Sequence, residues 1–291
     1  MFQGYIAAVV SPFKDGKVDL QSFEKYIDWI SSSGISGIVV CGSTGESLAL
    51  TQDEYHSLVA KASAIARNKI KVIAGVISSS TEYCLSLLNC AEKYVDGFLS
   101  ICPYYIKPTQ TQLIEHFKTL SVATEKPIIL YNNPGRVGMS MEEQAFRSLA
   151  ELKNVVAIKE CASDLSRFTL WRENLKEDFE MLTGNDDSAF GALAMGAKGV
   201  ISVSANVCPN LCVKAYNAFV DGNMADFAKY RDLLAPLHQL MFSEPSPAPA
   251  KYALSKLGMM TEEIRRPLTP ISDGLKSKID EYMEKVRDYN G

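Results

Sequence analysis

The chain has 291 residues, 47% of them hydrophobic, which excludes a disordered or low-complexity protein and allows one large core. Its 30 basic residues stand against 34 acidic ones, a net charge of -4, so no dedicated nucleic-acid surface is expected. No apolar run approaches the length of a membrane span, and the opening "MFQGYIAAVVSPF" lacks the basic start and long apolar core of a signal peptide. A cytoplasmic protein is expected.

In chain order, short apolar runs alternate with longer amphipathic segments. Strands are predicted at residues 5–10, 37–40, 71–76, 97–101, 127–131, 155–159, 179–183 and 199–203. Their near-continuous apolar character is that of strands covered on both faces. The helical period predicts helices over 19–33, 51–67, 79–94, 109–124, 140–152, 163–175 and 186–195. The first follows a capping acid. The second opens as "TQDE", a capping box with Glu54 three residues after Thr51. Gly191, Gly196 and Gly199 read as a helix end turning into a strand, not as a dinucleotide loop.

Strand and helix in alternation, at a spacing of roughly 20–35 residues, predict a (β/α)8 TIM barrel. The rival is a doubly wound open sheet, which usually has fewer strands and often a glycine-rich phosphate turn after the first. Here the first strand runs into "SPFKDGKVD", which has no such turn. From about Asn206 the strands stop. The rest reads as helical, broken at 243–251 and at 265–270. We expect a barrel over 1–222 and a helical C-terminal domain over 223–291.

Seven cysteines, odd in number and scattered through apolar segments, do not make a disulfide framework. "CPNLC" at 208–212 has the spacing of half a zinc site without a second half, so buried thiols are the reading. His56, His116 and His238 fall in helical segments with no ligand spacing. No metal and no organic cofactor is expected.

In such a barrel the chemistry sits at the C-terminal ends of the strands. Strand 6 ends "VVAIK", on Lys159. A lysine there stands in a partly desolvated pocket, which disfavours the charged ammonium. A neutral amine can attack a carbonyl and form a Schiff base, whose iminium draws electrons from the neighbouring carbon. The plain alternative is a lysine that snorkels to water or pairs with Glu160. Tyr131, ending strand 5, is suited to the proton transfers of that chemistry, or is a strand-end aromatic with a satisfied hydroxyl. "GSTGES" at 42–47 offers backbone donors and hydroxyls to a carboxylate, or is a plain strand-to-helix loop. Arg136 in "NNPGRVG" presents a fork that suits a carboxylate, or is a solvated surface arginine. "NDD" at 185–187 reads as a helix N-cap rather than a metal site.

"GSTGES", "PYY", "ILYNNPGRVG", "IKE", "TGNDD" and "GVISVSAN" occur in this order at successive strand ends. Together they closely resemble the dihydrodipicolinate synthase / N-acetylneuraminate lyase family of pyruvate-dependent class I aldolases, over nearly the whole chain. The resemblance implies a barrel with a C-terminal helical domain, usually assembled as a homotetramer. Within the family it points to the synthase branch, whose members condense pyruvate with L-aspartate 4-semialdehyde in lysine (diaminopimelate) biosynthesis. The alternative is a lyase or dehydratase acting on a sugar acid or another 2-keto acid. By resemblance, Lys159 forms the Schiff base and Tyr131, Ser43 and Tyr105 relay protons, Tyr105 from a neighbouring subunit. Thr44 and Ile201 contact pyruvate, Arg136 serves the semialdehyde and Gly184 lines the pocket with its backbone.

Ser43 departs from the threonine usual in the synthase branch. It keeps the hydroxyl and loses the methyl that restricts it. Many synthases are inhibited by lysine. The matching positions here are Ser47, Leu48, Gln52, Tyr55, Ser79, Tyr83 and Tyr104. Tyr83 stands where lysine-sensitive members carry a glutamate for the ligand's ammonium, so feedback is expected to be weak or absent.

Overall fold

A computed structural model of the chain describes residues 1–173 and 175–289. Asn174, in the helix expected at 163–175, and residues 290 and 291, at the end of the expected C-terminal domain, lie outside the described residues. The barrel strands are β1 (Gly4–Ala8), β2 (Gly37–Val40), β3 (Lys71–Val76), β4 (Gly97–Ile101), β5 (Ile128–Asn132), β6 (Val155–Glu160), β7 (Glu180–Thr183) and β8 (Gly199–Ser202). They pair in parallel in sequence order, and the barrel closes where β1 pairs with both β2 and β8. Each predicted strand is present. Every residue of β2, β4, β5, β7 and β8 is buried, as continuous apolar runs require when helices cover one face and barrel side chains fill the other.

The first helices begin where their caps dictate. Asp19 accepts from the backbone N–H groups of Gln21 and Ser22 at the start of α1 (Leu20–Ser31). Thr51 and Glu54 form the expected capping box of α2 (Gln52–Ala66). Ser80 caps α3 (Thr81–Ala91), and Thr109 with Gln112 makes a second capping box on α4 (Gln110–Val122). Each such cap stabilises its helix by about 1 kcal/mol.

Later helices are shorter than the periodicity predicts, because side chains capture the backbone first. Before α5 (Glu143–Ala150), the N–H of Met141 goes to Asn132 and that of Glu142 to Gln110. In place of a helix over 163–175 there is one turn, α6 (Arg167–Leu170). Asp164 accepts from both the N–H and the hydroxyl of Ser166, a local bond that competes with helix formation. The expected helix at 186–195 starts late, as α7 (Ala189–Ala194). The N-cap reading of "NDD" fails: Asp186 accepts instead from the N–H groups of Val203 and Ser204, past the end of β8.

The last barrel helix is α8 (Pro209–Val220). Three more follow: α9 (Met224–Phe242), α10 (Ala248–Lys256) and α11 (Asp273–Lys285). The expected break at 243–251 is shorter than predicted, because α10 already begins at Ala248. Pro249 sits in its first turn, where a missing N–H costs nothing. Packing of α9 against α8, α10 and α11 ties this region to the barrel. One element escaped prediction. Phe13 pairs with Val18 and Lys14 with Lys17 in a small hairpin, turned by Asp15 and Gly16 at φ 53° and 76°. The "DG" pair was its signal.

Candidate active site

Alternation along β6 sets the site. Successive side chains point to opposite sides of a strand, so Lys159 and Glu160 part company. Glu160 is fully buried outside the barrel wall. It accepts from the Asn132 amide at 2.8 and 2.9 Å, from the N–H of Ala162 and from Arg167 at 3.2 Å. It is therefore not the partner of Lys159. Lys159 is 7% exposed, which excludes snorkelling, and it lines a cavity of about 510 Å³ at the C-terminal end of the barrel. Among the described residues no carboxylate stands within salt-bridge distance of its Nζ, which lies 4.2 Å from the centre of the Tyr131 ring.

Tyr131 lies directly opposite Lys159 in the β5–β6 register. Asn133 donates to its hydroxyl oxygen at 3.1 Å, and the hydroxyl also bonds the Cys161 thiol. Gly184, just past β7, faces the same pair. A Cβ there would come within 2.4 Å of Lys159 Cε and 2.3 Å of Cys161 Sγ, so only glycine leaves room for the lysine. Cys161 thus shares the lysine's side of the wall. Burial pushes its thiol up to about 11, against the pull of Lys159 and Arg136, so it is no ready nucleophile.

The loop after β2 brings Ser43 and Thr44 to the cavity. Its turns close on themselves, Gly45 N–H to Gly42 and Glu46 N–H to Ser43. Ser11 holds the Gly45 carbonyl at 2.7 Å. Arg136, on the single turn Pro134–Val137 after β5, also lines the cavity. A second chamber of about 540 Å³, walled in part by Leu48, Tyr104, Pro247 and Arg266, adjoins the first, and Ser43 and Arg136 line both.

Six of the eight expected site residues therefore meet at one cavity: Lys159, Tyr131, Ser43, Thr44, Arg136 and Gly184. Two do not. Ile201 is buried in the barrel wall and Val203, two residues on, reaches the cavity instead. Tyr105 is 89% exposed and does not line this cavity, with a left-handed φ of 70°.

Sequence reading missed the far wall, which α9 supplies through His238, Gln239 and Phe242. His238 interrupts the buried stripe Leu234, Leu237 and Met241, and a polar residue on an apolar face was the available signal. Ser204 bonds its Nδ1 at 2.8 Å. Burial holds the imidazole below its usual pKa, against the pull of Asp186 and Asp187. Among the described residues no three His, Cys, Asp or Glu side chains are grouped as metal ligands. Five cysteines are buried, two half-buried, and none forms a disulfide.

Residues 1–286 match the model of the dihydrodipicolinate synthetase family. A 4-hydroxy-tetrahydrodipicolinate synthase of Ruegeria pomeroyi is 40% identical over 285 residues, 98% of each chain. Among solved structures, dihydrodipicolinate synthase from Aquifex aeolicus superposes with a TM-score of 0.95 at 37% identity, over 98% of each chain. The chloride-inhibited dihydrodipicolinate synthase from Acinetobacter baumannii, solved with pyruvate, gives 0.94 at 33% identity over 99% of each chain.

Proposed function

The chain belongs to the dihydrodipicolinate synthetase family, and from that premise we propose how it acts. It catalyses the 4-hydroxy-tetrahydrodipicolinate synthase reaction of lysine biosynthesis, condensing pyruvate with L-aspartate 4-semialdehyde. The observation that carries the mechanism is a buried lysine on the wall of a cavity, over the ring of Tyr131 and without a carboxylate partner among the described residues.

The Lys159 amine adds to the keto carbon of pyruvate, and loss of water gives the iminium. A proton leaves the pyruvate methyl, and the enamine carbon attacks the aldehyde of the second substrate. The substrate's own amine then displaces Lys159 from the imine carbon, which closes the ring and frees the enzyme. Tyr131 exchanges protons at the carbinolamine, with Ser43 and Tyr105 completing the relay. Tyr105 serves the cavity of a neighbouring subunit, which its outward position favours, in a homotetramer built as a dimer of dimers. Thr44 holds the pyruvate carboxylate, with Ile201 behind the substrate. Arg136 receives the acid group of the semialdehyde, and Gly184 keeps the lysine's path clear. No organic cofactor enters this chemistry.

The chain divides at 222/223 into barrel and helical region, and works in the cytoplasm, where its thiols stay reduced. Lysine inhibits it weakly or not at all, because Tyr83 gives an ammonium no counter-charge.

Turnover of pyruvate with L-aspartate 4-semialdehyde, coupled to dihydrodipicolinate reductase and read as NADPH loss, tests the reaction. A rate that vanishes without either substrate is expected. Borohydride should trap pyruvate on the enzyme and not on Lys159→Ala. Trapping without turnover would move the reading to an aldolase of another keto acid.

A further inference from the structure

We propose that Lys251, in the C-terminal helical region, is a positioning residue for the reaction: through a buried ion pair with Glu46 it holds the loop that carries Ser43 and Thr44. This rests on the proposed function, in which Ser43 relays protons.

Lys251 has no exposed surface. It lies on α10, and its Nζ donates to Glu46 Oε1 at 2.6 Å, 4.1 Å from the centre of the Phe13 ring. The other carboxylate oxygen accepts the backbone N–H of Arg265 at 3.0 Å. Both oxygens of Glu46 are thus held by the segment that follows the barrel. Glu46 is the third residue after Ser43, its N–H donates to the Ser43 carbonyl at 3.2 Å, and its own φ is +53°. A non-glycine residue keeps that backbone only when its surroundings impose it. Fixing the carboxylate therefore fixes the turn that aims Ser43.

Burying an ion pair is a poor way to gain stability, since apolar side chains of similar volume would hold α10 on the barrel as well or better. Burial pushes the Lys251 ammonium's pKa down, while Glu46 pulls it back up. What the pair supplies and apolar contact cannot is direction: a carboxylate held at both oxygens in one place. The same region also walls the cavity through His238 and Phe242, so the loop and the wall facing it share one support.

The test uses Lys251→Met, the neutral pair Lys251→Met/Glu46→Gln, and both again in a Ser43→Ala background. Melting temperature, borohydride trapping and kcat are measured per mole of pyruvate-trapping protein. The single variant leaves a buried unpaired carboxylate and should melt lower, whereas the neutral pair should melt near the parent. We expect the neutral pair still to trap pyruvate but to turn over about tenfold more slowly or worse. With Ser43→Ala the same pair should cost less than about twofold, because the hydroxyl that relays protons is no longer there to be aimed. Recovery of parental kcat by the neutral pair, or an equal loss in both backgrounds, would overturn the proposal. Pyruvate trapping by the parent, read alongside, separates that failure from a failure of the Schiff-base reading.

Discussion

The loops after β2 and after β4 leave the same rim, and each is expected to give one hydroxyl to the same relay. They are built in opposite ways. The first closes on its own backbone, is held by Ser11 and is anchored by Lys251 and Arg265. The second puts Tyr105 and Ile106 89% and 60% exposed, with Tyr105 and Lys107 at φ 70° and 45°. Left-handed backbone at such residues costs about 1 kcal/mol each, and Tyr105 does not line the cavity beside Lys159. One loop is complete within the chain. The other stands exposed, as the role proposed for Tyr105 in a neighbouring cavity requires.

The largest effect should come from Tyr105. Tyr105→Phe is expected to lower kcat about a hundredfold, the scale of one proton-transfer group. Mixed oligomers of Tyr105→Phe and Lys159→Ala subunits should regain activity that neither homo-oligomer has. Mixtures as inactive as their parts would mean that Tyr105 serves no neighbour. Arg136, on the third loop of that rim, comes next. Arg136→Ala should raise the KM for the semialdehyde about tenfold, as loss of a charged hydrogen bond does, and leave that for pyruvate nearly unchanged. An equal rise for both would reduce Arg136 to a loop anchor.

The exposed loop is carried by α4, where Thr81 bonds Nδ1 of His116 at 2.9 Å and Nε2 is buried without a partner. Burial lowers this imidazole from 6.5 to about 4. The unfolded chain takes up its proton first, so the stability from the neutral ring is complete above the unfolded value and falls away as pH drops towards 4. Between pH 6.5 and 5.5 the loss should be about 1 kcal/mol. Melting curves of the parent and His116→Gln should converge over that range, and parallel curves would exclude His116 as the source. The smallest effect belongs to the pinned loop. Ser43→Thr should change kcat by less than about threefold, since the added methyl only narrows a hydroxyl already aimed. A larger gain would show that the loop aims Ser43 poorly.

Much of the barrel and of its site is legible in the amino-acid order alone. Buried strands are local apolar runs, and Lys159, Tyr131, Arg136 and Gly184 sit within a few residues of strand ends whose position the barrel dictates. What failed did so where a side-chain bond, near or distant, competed with the periodic pattern. Asp164 and Asp186 took bonds that shortened α6 and α7. Val203 lines the cavity although no motif pointed to it, a matter of where β8 ends. The α9 wall and the Lys251–Glu46 pair join residues far apart in sequence, and no periodicity carries that information.

Glu160 is not among the residues that line the cavity, yet it braces Tyr131 and Lys159 from behind. By bonding Asn132 on β5 and Arg167 beyond β6, and with Asn132 holding Met141, it locks the slide of one strand against the other. The spacing of Tyr131 and Lys159 is thus gauged on the dry side of the wall, out of reach of any ligand. The wall that faces the cavity and the bonds that space Tyr131 and Lys159 are consequently different sets of residues. Phe242, on the α9 wall, belongs to the cavity alone, so a change there should leave the brace behind the two strands as it was.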